Sequence, residues 1–177
     1  MEAAPSSSLP PVAPASLSVL CLGLFVATPV LAVSMLNDPK GFRDFAWGAP
    51  LSESSGLTLT FSDERVKEFE LKQAPPTLGG TPVDSMKLFS IDNQFARVSV
   101  RYRGKRAHEQ LVAYLQAQYG PLDLTPGQIA ASGNHQFTWR GTETEVNLTF
   151  DVRQERGVLF IESRTLAAKF LDYMGGM

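Results

Sequence analysis

The sequence predicts an α+β fold: a single domain, mainly antiparallel sheet, packed on one central helix, with a short second helix at the C-terminal end. Three observations carry this expectation. Runs of alternating apolar and polar residues lie on both sides of one stretch with helical period. The links between neighbouring runs are of hairpin length, which suits antiparallel strands and not alternating βαβ units. The strongest alternation, TEVNLTFDV, sets Val146, Leu148, Phe150 and Val152 opposite Glu145, Asn147, Thr149 and Asp151.

The folded part is expected over residues 37–177. LTLTF, at Leu57 to Phe61, alternates cleanly, and VKEFELK, from Val66 to Lys72, puts Phe69 and Leu71 on one face. QAPPTLGGTP follows, with three prolines and two glycines, and reads as a turn or a mobile flap because Pro removes donors and Gly supplies positive φ. SMKLFSI and FARVSVRYRG flank an Asp92-Asn93 turn, with Ala96, Val98, Val100 and Tyr102 on one face of the second strand. The period then changes. In KRAHEQLVAYLQAQYG, Leu111, Tyr114, Leu115 and Gln118 recur at helical spacing, and Gly120-Pro121 stops the helix. A polar loop covers about Pro121 to Asn134, after which HQFTWRG places Phe137 and Trp139 on one face. Gln154 to Gly157 closes a hairpin into VLFIES, and TLAAKFLDYM forms the last helix with Leu166, Phe170 and Met174 inward. The Ala96/Val98/Val100/Tyr102 and Val146/Leu148/Phe150/Val152 faces should both meet the helix that carries Leu111 and Leu115.

At 177 residues and 44% hydrophobic content the chain can fill one core and hardly two. A net charge of −2 supplies no global basic field, so nucleic acid is not an expected partner. Residues 1–34 differ in kind: a Pro/Ser/Ala-rich start leads into SLSVLCLGLFVATPVLAVSML, uncharged until Asp38. This is an export signal or an N-terminal anchor. Leu17 to Ala27 has the length of a signal h-region, Pro29 breaks the run, and Val30-Leu31-Ala32 and Ala32-Val33-Ser34 offer small-residue cleavage sites. The first basic residue, Lys40, stands behind the run instead of before it. Residues 17–36 also suffice, at about 20 residues, to span a bilayer as a helix. Lys40 and Arg43 would then keep the domain in the cytoplasm. Cys21, the only cysteine, follows Leu20, which is too large for a lipoprotein site; a processed chain would hold no thiol and no disulfide.

The inventory for catalysis is thin. His108 and His135 are the only histidines, too few for a metal site, and both read as solvated, one in a first helical turn and one at a strand start. No G-x-S-x-G elbow occurs, and Gly79-Gly80 lacks the Lys-Ser/Thr sequel of a phosphate loop. Asp63-Glu64, and Glu143 with Glu145, are neighbours on wet faces, whereas glycoside hydrolysis needs two carboxyls across a cleft. No catalytic, metal-ligating or cofactor-binding residue is assigned, and no cofactor is expected.

Two groups remain as a candidate binding surface. Phe42, Phe45 and Trp47 crowd the entry to the domain, where they either plug the core or form a ligand rim. Arg97, Arg101 and Arg103 alternate along one strand and could share a positive patch. Phe42 and Phe45 before Trp47-Gly48, then VRYRG opening a helix that ends in YGP, then FTWRG, resemble a family of short exported bacterial proteins of unknown function. In that family a WG motif begins the mature domain. The resemblance covers most of residues 41 to 165; it implies an exported α+β domain and carries over no catalytic residue. The expected function is that of a non-enzymatic envelope protein, periplasmic or secreted, that binds an envelope protein or a small ligand. The alternative is a small hydrolase-like envelope enzyme with a dispersed site. A membrane is a partner only if the N-terminal segment stays attached.

Overall fold

The computed structural model describes residues 33–72, 75–122 and 133–175. Most of the export or anchor segment, most of the loop after Pro121, and the Met174 side chain lie outside the described residues. Among those described, no helix is long and apolar enough to cross a membrane.

Three two-residue strands come first, β1 (Val33–Ser34), β2 (Gly41–Phe42) and β3 (Phe45–Ala46). A meander follows: β4 (Leu57–Ser62), β5 (Val66–Leu71), the small hairpin β6 (Thr77–Leu78) and β7 (Thr81–Pro82), then β8 (Ser85–Ile91) and β9 (Gln94–Arg103). Helix α1 (Lys105–Tyr119) leads to a second meander, β10 (Asn134–Arg140), β11 (Thr144–Asp151) and β12 (Arg156–Ser163), and α2 (Arg164–Gly175) ends the fold. The main sheet runs β1-β10-β11-β12-β9-β8-β5-β4. Its seven long strands are antiparallel, as the hairpin-length links require, and only β1 joins in parallel, beside β10. The two meanders meet where β12 pairs with β9.

Register aligns the apolar side chains in rows across one face. Trp139, Val146, Ile161, Val98, Leu88 and Phe69 form one row, and Phe137, Leu148, Leu159, Val100 and Met86 the next. All are buried, and Leu111 and Leu115 of α1 complete the core. Each such side chain contributes roughly 1.5–3 kcal/mol by leaving water. Trp139 also donates its indole N–H to the carbonyl of Gly120 (3.0 Å), which ties β10 to the end of α1. Gly120 stops that helix at φ 105°, a conformation that suits only glycine, with its N–H still bonded to the Gln116 carbonyl.

The opposite face is half covered. Helix α2 follows β12 without a linker, and the Ser163 hydroxyl accepts a bond from the Leu166 N–H at its first turn. It buries Leu166 and Phe170 against Val66, Ile91 and Ala96. The remaining sheet surface is open.

Four expectations need correction. Ala96 does not share a face with Val98 and Val100: β9 bulges opposite the Phe89–Ser90 step, and the extra residue turns Ala96 toward α2. Clean alternation likewise fails in β4, where a bulge at Thr60 leaves Leu59 opposite Phe69 on the core face but puts Phe61 opposite Glu68 on the other. Val152 is exposed because β11 ends at Asp151, whose carboxylate accepts the N–H groups of Arg153 and Gln154 and turns the chain. The Pro/Gly stretch before β8 is no flap: Leu78 is buried, and Gly79 lies flat on the ring of Tyr114 in α1, where a Cβ would overlap it.

The chain just after the apolar run is stitched in as a brace. Met35 and Leu36 donate backbone N–H bonds to the carbonyls of Arg140 (3.2 Å) and Tyr119 (3.0 Å). The Asp38 carboxylate accepts the N–H groups of Glu143 (2.7 Å) and Thr144 (3.0 Å).

Candidate functional site

The six residues of the candidate surface do not form one site. Phe42 is buried in the main core, and Phe45 and Trp47 pack edgewise and tilted on Phe95, with ring centres 6.1 and 4.7 Å away. The Trp47 indole N–H donates to Thr144 Oγ1 at 2.8 Å. These rings close the end of the core. Trp47→Ala should therefore lower unfolding free energy by about 2–4 kcal/mol through lost packing and an unfilled space. Denaturant melts check this, and an unchanged midpoint would return Trp47 to the rim reading.

The arginines lie on the opposite face, and two of the three converge. Arg103 pairs with Asp84 near the strand end (2.9 Å). Arg97 and Arg101 line a groove of about 430 Å³ between the flank of α2 and the open sheet. Its aromatic walls come from four elements: Phe61 of β4, Phe89 of β8, Phe160 of β12, and Phe170 and Tyr173 of α2. The bulge at Thr60 is what aims Phe61 into it. Phe61 and Phe160 are 51% and 36% exposed, high values for rings of that size, so the groove presents apolar surface to solvent.

Charge in the groove is unevenly satisfied. Arg97 is engaged: its guanidinium lies 2.6 Å from the Glu162 carboxylate and stacks 4.5 Å above the Phe170 ring. Glu68 accepts from Lys87 (2.7 Å) and from the Thr60 hydroxyl (2.8 Å); these bonds hold its carboxyl below the usual range against the opposing effect of burial. Arg101 is exposed and has no carboxylate within 4.0 Å among the described residues.

On the core side, a second pocket of about 330 Å³ opens between α1 and the ends of β10 and β11. It gathers His108 and His135; His108 is buried, contrary to its solvated reading, whereas His135 is half-buried at the strand start. His108 is 5% exposed, its ring stacked on Phe150 with centres 4.1 Å apart. His108 Nδ1 is 2.8 Å from the Tyr102 hydroxyl, and its Nε2 is 3.3 Å from Nδ1 of His135. Burial, and next the neighbouring His135, hold His108 down to about 4, so it is neutral at pH 7. Burial alone pushes the Tyr102 phenol upward. The register explains the meeting: His135, Phe150, Gly157 and Tyr102 stand in one row across the sheet. Gly157 leaves the space into which the Tyr102 ring lies. Lys105, Glu109 and Glu155 stand at the pocket rim.

This histidine pair was within reach of the sequence. His108, Leu111 and Leu115 fall at i, i+3 and i+7, so His108 belongs to the apolar stripe of α1. His135 has the parity of Phe137 and Trp139. The chain matches no known family, no curated protein and no solved structure.

Proposed function

We propose that the chain is a non-enzymatic exported protein of the bacterial envelope, which captures an apolar partner segment carrying an acidic group. The groove beside α2 is the seat. The observation that carries this reading is Arg101, an exposed cation with no carboxylate within 4.0 Å among the described residues and only a longer-range attraction to Glu68, on an open sheet face walled by aromatic rings. Aromatic and arginine side chains are the usual anchors of protein interfaces, because they combine large contact area with directional bonds. A volume of about 430 Å³ admits a few side chains of a peptide segment. Export rests on the apolar run with its small-residue cleavage sites and on the resemblance to short exported bacterial proteins. The hydrolase-like alternative draws on the histidine pocket, whose described lining includes no Ser, Thr or Cys to act as nucleophile.

A photo-crosslinking residue at position 160, expressed in the native host, tests the reading. A crosslink to one envelope protein is expected in the exported fraction. It should disappear in Arg101→Glu, whose melting temperature stays that of the parent because position 101 is exposed. Crosslinking that persists unchanged in the Arg101→Glu chain, or a product found only in the cytoplasm, would overturn it.

A further inference from the structure

We propose that His108 and His135 bind a borderline transition-metal ion, Zn(II), Ni(II) or Cu(II), through Nε2 of His108 and Nδ1 of His135. The two nitrogens are 3.3 Å apart. Two imidazole nitrogens bound to one zinc ion at about 2.0–2.1 Å, at the tetrahedral angle, are separated by about 3.3–3.4 Å. The pair is already spaced for a shared ion.

Protons balance without any leaving the site. In the resting tautomer proposed for the pair, the Tyr102 hydroxyl donates to His108 Nδ1 at 2.8 Å and His108 Nε2–H donates to His135 Nδ1 at 3.3 Å. With the ion present, His108 carries its hydrogen on Nδ1 and donates it to the Tyr102 oxygen, whose own hydrogen rotates out of this contact while staying on the phenol, and the Nε2 lone pair is freed. His135 keeps its hydrogen on Nε2 and offers Nδ1. Tyr102 thus serves as a partner in both tautomers and orients the ligand ring, the part played by groups behind most metal-bound histidines. The stack on Phe150 holds the same ring from the side.

The charge of the mouth favours a cation. Two carboxylates, Glu109 and Glu155, line the pocket with a single ammonium, Lys105, which pairs with Glu109 at 3.9 Å and leaves Glu155 as the surplus charge. Imidazole selects Zn, Ni and Cu over Mg and Ca, which demand several oxygen ligands. Among the described residues no group of three or more His, Cys, Asp or Glu is placed to hold an ion. The proposed site therefore has two protein ligands, fewer than the three of an ordinary open zinc site, and its remaining positions fall to water or a further ligand.

Calorimetric titration of the full chain with each metal salt alone tests this. One ion per chain is expected, with Cu(II) bound most tightly, following the general order for nitrogen and oxygen sites, and with Mg(II) and Ca(II) giving no saturable heat. His135→Ala should weaken Cu(II) by at least about tenfold, and Tyr102→Phe by about tenfold through loss of ring orientation. Electron paramagnetic resonance of the Cu(II)-loaded wild-type protein should show coupling to two nitrogens, a readout that needs no variant to fold. No saturation at one ion, coupling to a single nitrogen, or wild-type affinity in His135→Ala would each mean that the pair is only a satisfied internal hydrogen bond.

Discussion

Trp139→Ala should lower the unfolding free energy by about 4–5 kcal/mol, at the upper end of the range for removing a buried indole. The residue is fully buried at the β10 end of its α1-facing row, so its loss removes transfer energy and leaves a cavity that β10 and α1 cannot both collapse to fill. It also strips the Gly120 carbonyl of its indole donor at the end of the helix. A domain of this size has roughly 5–15 kcal/mol in total, so the variant should sit near the edge of folding. Denaturant unfolding checks it. Trp139→Phe, which keeps most of the ring volume but not the N–H, should recover more than half of the loss; a Phe variant as weak as the Ala variant would mean that the hydrogen bond, not the packing, dominates.

Gly157→Ala should cost about 3 kcal/mol, a large effect for one methyl group. A Cβ at this position would overlap the Tyr102 ring, whose hydroxyl holds His108, so the ring must leave its place or β12 must move away from β9. Overpacking of this kind typically costs about 1–3 kcal/mol, and here the bond to a buried histidine is lost as well. The cause can be isolated. In a Tyr102→Ala background the space is already empty, and the same Gly157→Ala change should cost under about 1 kcal/mol, giving a coupling of roughly 2 kcal/mol in the double-mutant cycle. Equal costs in both backgrounds would place the strain in the strand itself.

Much of the architecture was legible because it rests on period and parity. The strong alternation of β11 and the Phe137/Trp139 pair point inward as written, and Asp92-Asn93 forms its hairpin turn with both residues at positive φ. What failed to show were the two bulges. An added residue at Ala96 or Thr60 changes parity only in relation to a partner strand, and a single strand read by itself holds no trace of its partner's count. The groove was hidden for the same reason. Phe61, Phe89 and Phe160 come from strands far apart in the chain, and which of them share a face follows from register across five strands. The histidine pair was missed differently: parity was there in each element, but polar residue type was weighed above position.

Because Met35 and Leu36 are fastened to Arg140 and Tyr119, whatever precedes Val33 leaves the domain beside β10, at one margin of the sheet. Phe61 stands on β4, at the other. Six strand spacings lie between β10 and β4, roughly 30 Å at the usual distance between neighbours. The N-terminal end of the described chain and the Phe61 end of the groove therefore lie at opposite margins of the sheet. A domain held by its N-terminal end would present the Phe61 end of the groove away from its holder, with a reach comparable to the thickness of a bilayer core. It could meet partners there without a long linker to carry it.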